Sequence, residues 1–260
     1  MKARGIGFTL IELAVALFVL MLLLGSILVP LTTQVEQRKA SDTRKALDEA
    51  REALLGFAAA NGRLPCPASA TSNGSESFDT GGSAANGMCA GGVAPNGFHG
   101  FLPAATLGLT ATDSQGYALD GWGIAQNRIR YAVANQMVNG IVNPLTTSNG
   151  LRSAGLAALT TAQFLYVCNS GVGVTGTNCG TAVALSANAM AVIYSVGANA
   201  ATGGTSVHEA QNPNPNGGNP DRIFVSRDRS EVAGSEFDDV VTWIGTSPLF
   251  NRLIAAGQLP

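Results

Sequence analysis

The chain has 260 residues, with 15 Lys or Arg against 17 Asp or Glu and a formal net charge of −2. Only 12% of its residues are charged, so it lacks the dense basic surface that a phosphate backbone demands, and nucleic acid is not indicated as a partner. Its 32 glycines concentrate with Asn, Ser, Thr and Ala in the middle of the chain, a loop-rich composition unlike that of a compact α/β enzyme.

From Phe8 to Leu31 the sequence is almost continuously apolar, broken by one charge, Glu12, and by Gly25 and Pro30. A helix over this run, rising about 1.5 Å per residue, is expected to cross a hydrocarbon core of about 30 Å. Lys2 and Arg4 precede it as in a signal peptide. The run nevertheless exceeds the roughly 7–15 residues of a signal peptide's apolar region, and no small-residue cleavage site closes it. Glu12 stands out, because a carboxylate within an apolar span costs about 2.5–3.5 kcal/mol and calls for a partner. Gly7 offers a bare backbone to a protease, and Glu12 lies one helical turn beyond Phe8 on the same face. Charge does not orient the run, since Arg38, Lys39, Arg44 and Lys45 follow it as Lys2 and Arg4 precede it.

This N-terminus resembles that of prepilins, the precursors of type IV pilins and type II secretion pseudopilins. The residues that carry the resemblance are the basic leader Met1 to Gly7, the Gly7-Phe8 junction, and Thr9-Leu10-Ile11-Glu12 at the head of an apolar helix. The resemblance implies cleavage after Gly7 by a prepilin peptidase, N-methylation of Phe8, and pairing of Glu12 with the α-amino group of a neighbouring subunit during assembly. It implies a non-catalytic minor subunit of a type IV pilus or type II secretion filament. The implied partners are other such subunits, the peptidase, an inner-membrane assembly platform, and membrane lipid before assembly. The implied location is the bacterial inner membrane, crossed once with the head in the periplasm, and then the filament. The expected fold is α+β and pilin-like: a long N-terminal helix, membrane-spanning in its first half, packed on a small antiparallel β-sheet head with long disulfide-restrained loops. Its expected parts are a leader (1–7), a transmembrane or filament-core helix (8–31), an amphipathic continuation (32–61) and a globular head (62–260).

Gln34 to Ala60 holds one glycine and no proline, with Leu47, Ala50, Leu54 and Phe57 at helical spacing, which predicts an amphipathic helix continuing to about Asn61. Pro30 removes a backbone donor and is expected to kink or locally melt that helix. Asn61-Gly62 closes it as a C-cap. Ala68 to Gly97 reads as a long loop. The four cysteines, Cys66, Cys89, Cys168 and Cys179, are expected to form two disulfides in an oxidising compartment. Three pairings are open, and local pairing of Cys66 with Cys89 and of Cys168 with Cys179 is preferred. Zinc is disfavoured, because no C-x-x-C occurs and neither His99 nor His208 flanks a cysteine.

Asp120-Gly121-Trp122-Gly123 and the run Arg128 to Val133 resemble the pseudopilin turn that enters the first strand of the sheet. Further strands are expected at Phe164–Val167, Ala189–Val196 and Arg222–Val225. Ser195 to Asn199 and Phe237 to Trp243 resemble the C-terminal loop of major pseudopilins, which binds calcium. On that resemblance Asp238, Asp239 and Asp221 are candidate calcium ligands, although no cofactor is certain and Asn199 stands where an aspartate is usual. The competing expectation is that Asp238 and Asp239 flank a solvent-facing strand. A short helix with Ser247 as N-cap and Pro248 at its first position ends the chain.

No catalytic pattern emerges. His99 and His208 sit in Gly/Asn-rich surroundings without a nucleophile elbow, a zinc-protease helix or a phosphate loop. A single-pass membrane-anchored periplasmic hydrolase or binding domain is the alternative function.

Overall fold

The computed structural model describes residues 9–92, 96–201, 206–212 and 221–259, with the side chains of 24–32 outside the description. The leader and the Gly7–Phe8 junction therefore lie outside the described residues.

Helix α1 runs unbroken from Leu10 to Asn61. It opens on a capping box: the Glu12 N–H donates to Thr9 Oγ1 at 3.3 Å, and the Thr9 N–H donates back to Glu12 Oε2 at 2.9 Å. It ends at Gly62, whose φ of 65° suits a residue without a Cβ and whose N–H reaches the Ala58 carbonyl at 2.8 Å. The local melting expected at Pro30 does not occur, since the long helix-forming segments on either side carry α1 through it.

The expectation of a membrane-spanning first half requires correction. Among the described residues, no helix is long and apolar enough to cross a membrane. A single-pass location in an inner membrane loses its support with it.

The second half of α1 docks on the head. Leu47, Ala50, Leu54 and Ala58 are buried against β5 (Ala191–Ser195), β7 (Val240–Ile244) and the C-terminal helix α5 (Thr246–Ala255). Burying a leucine of this kind contributes about 1.5–3 kcal/mol. The turn Asp120–Gly123 seats on the same helix. The Gly121 N–H donates to Thr43 Oγ1 at 3.0 Å and Trp122 Nε1 to Glu36 Oε2 at 3.2 Å.

The head holds two sheets rather than the single antiparallel sheet expected. One is antiparallel in the order β1-β2-β5-β7, with β1 at Phe98–Phe101 and β2 at Arg130–Val133. The other is mixed, in the order β4-β3-β6, with β3 at Leu165–Cys168, β4 at Ala184–Ala189 and β6 at Ile223–Val225. β6 pairs parallel to β3 because the chain between them travels out through β4 and β5 before returning. The expected strand Ala189–Val196 is divided at Met190, which lies between β4 and β5. Three short helices, α2 (Ala104–Leu107), α3 (Gly150–Ala154) and α4 (Leu156–Thr161), complete the head. Helix α5 starts one residue before the expected cap, with Gly245 as N-cap and no side-chain capping bond.

Disulfides join Cys66 to Cys89 and Cys168 to Cys179. The first pins the segment after α1, where the buried Arg63 guanidinium makes two 2.8 Å hydrogen bonds to Glu76. The second staples a small satellite core of Tyr166 and Ile223.

Candidate functional site

Two features stand apart from the packed core: a carboxylate cluster in the head, and the exposed stretch of α1 from Leu10 to Leu23. The cluster forms where three segments meet. Two residues beyond the end of β5 at Ser195, Gly197, with a φ of 68°, turns the chain towards Asn199. A short 3-10 turn, Glu209–Gln211, approaches from another side, and the residues entering β7 bring in Asp238 and Asp239.

One carboxylate oxygen each from Glu209, Asp238 and Asp239 lies within 4.8 Å of the others. Glu209 is 1% exposed and Asp239 7%. Glu209 is held from both sides, accepting from Asn199 Nδ2 and from the Asp238 N–H, each at 3.0 Å. Asp238 Oδ2 accepts from the Ala198 N–H at 2.9 Å, while its Oδ1 is buried without a hydrogen-bond partner. Asp239 Oδ2 accepts from Asn212 Nδ2 at 2.6 Å. Among the described residues, none of the three carboxylates has a Lys or Arg partner at ion-pair distance.

Electrostatics follow from that packing. Burial pushes Asp238 up to about 6, and the Glu209 carboxylate adds to the shift. Burial lifts Asp239 well above the usual carboxylate range against the opposing Asn212 hydrogen bond, with Glu209 and Asp238 adding to the rise. Three carboxylates this close favour sharing protons or a cation over full ionisation. A cleft of about 170 Å³ opens beside Asp238 and Asp239, lined also by Arg44, Trp122, Arg227 and Arg229.

Of the expected calcium ligands, the structure brings Asp238 and Asp239 together and leaves Asp221 outside the cluster. Asp221 Oδ1 instead accepts from the Ile223 N–H at 2.9 Å, and burial raises its carboxyl to about 6. Glu209 was not among the expected ligands. It lies in an Asn-rich stretch whose composition carries no sign of burial.

Both histidines are buried. His99 is stacked on Phe224, its Nε2 lies 3.0 Å from the Asn96 carbonyl, and burial depresses it to about 4. His208 Nδ1 accepts from the Gly171 N–H at 2.9 Å, and burial lowers its pKa, aided by the Arg227 charge.

The start of α1, from Leu10 to Leu23, presents the opposite chemistry. Its large apolar side chains from Leu10 to Leu23 are all exposed, from 47% at Val19 to 89% at Leu10, on every side of the helix. Glu12 sits at the start of this stretch with its carboxylate turned back on its own chain, where hydrogen bonds from Thr9 hold it below the usual range.

No family model, curated protein or solved structure matches this chain. The resemblance of its first residues to prepilins therefore extends to no relationship across the chain. With no membrane-crossing helix among the described residues, assignment as a pilin or pseudopilin subunit is corrected, and so is the alternative of a membrane-anchored hydrolase. A short leader followed by an apolar helix is a local pattern, and it does not by itself carry a fold or an address.

Proposed function

We propose that this protein is a non-catalytic, self-associating module, in which the apolar half of α1 binds the same segment of other copies and the stapled head is the part displayed. The observation that carries this is the all-round exposure of Leu10 to Leu23. A helix with one apolar stripe needs one neighbour, whereas a helix apolar on all sides is stable only inside a bundle or another apolar environment. Copies of the same helix supply as many apolar faces as are needed, while a groove on a different protein would cover only one. The internal capping of Glu12 by Thr9 spares the bundle a wholly unpartnered carboxylate.

Placing glutamates on the bundle surface tests this. Phe18→Glu combined with Leu22→Glu should convert an associating protein into a monomer by light scattering, with the far-UV signal of the head retained. Association unchanged by the double substitution would rule out this segment as the contact.

A second reading concerns the head. The all-oxygen character of Glu209, Asp238 and Asp239 suits a hard cation, and calcium, which takes six to eight oxygens, fits better than zinc. The unpartnered Asp238 Oδ1 is the oxygen most available to it. A cation held only by the folded head would raise its stability by about 2.7 kcal/mol at a hundredfold excess over the dissociation constant. Thermal unfolding in calcium and in chelator checks this, and identical melting in the two would exclude calcium.

A further inference from the structure

We draw no further inference here: the strongest candidate, the carboxylate cluster of Glu209, Asp238 and Asp239 beside β7, belongs to the site already described, and no second group among the described residues indicates what it would hold.

Discussion

The Asn212 side chain donates to Asp239 Oδ2 at 2.6 Å, tying the outer edge of the mixed sheet to the carboxylate cluster. The same amide takes the place of a neighbouring strand. Its Nδ2 donates to the Val225 carbonyl at 2.9 Å, and its Oδ1 accepts from the Val225 N–H at 2.7 Å. Asn212 is fully buried, so water cannot replace what it supplies.

Asn212→Ala should accordingly destabilise the head by about 2–4 kcal/mol, since it leaves buried groups of Val225 and Asp239 without partners. Asn212→Asp should be worse, because it removes the donor and adds a charge beside Asp239. Urea denaturation of the three proteins measures both effects, and stability equal to wild type in Asn212→Ala would contradict the keystone role.

The cluster also predicts a pH dependence. Asp238 has an ordinary pKa of 3.8 when unfolded and is raised to about 6 in the folded head. Between those values the folded state holds more protons than the unfolded one, so stability falls as pH rises. The contribution is fully present below about pH 4 and is lost as pH passes about 6. Asp238→Asn removes this titration. The stability of wild type relative to Asp238→Asn should therefore decline between about pH 4 and pH 6 and level off above that window, and a difference that rises with pH would contradict the assigned cause.

The sequence reveals some of these features and hides others for physical reasons. The extent of α1 is legible, because Thr9, Glu12 and the Asn61-Gly62 stop act within a turn of the residues they cap. β2, β3 and β6 are legible as short β-branched and aromatic runs, each within two residues of its expected bounds. The parallel pairing of β3 with β6 is not legible, because it joins residues more than fifty positions apart and no local pattern records it. Glu209 is hidden for the same reason: its burial depends on Asn199 and Asp238, which reach it only through the fold. The apolar run after Phe8 was legible as apolar, but hydropathy alone does not say what covers it.

The seating of the head on α1 depends on a close backbone approach. A Cβ added to Gly121 would stand 2.2 Å from the Lys39 carbonyl oxygen, a backbone atom of α1 that cannot move without disturbing the helix. Gly121→Ala should push the Asp120–Gly123 turn off α1, break the Gly121–Thr43 hydrogen bond, and cost about 1–3 kcal/mol as an overpacked contact. Trp122 fluorescence reports the displacement directly, since the indole N–H is bonded to Glu36 on that helix. An unchanged spectrum and midpoint would show that the turn is not clamped there.

Self-association through Leu10 to Leu23 is the central claim, and sedimentation equilibrium of the unmodified full chain tests it most directly. In detergent-free buffer, raising the concentration should shift the mass from the 26.5 kDa of one chain to multiples of it. The Phe18→Glu/Leu22→Glu protein should stay at one chain throughout. A single 26.5 kDa species at every concentration, or a protein that remains monomeric alone and collects only on lipid vesicles, would contradict the account.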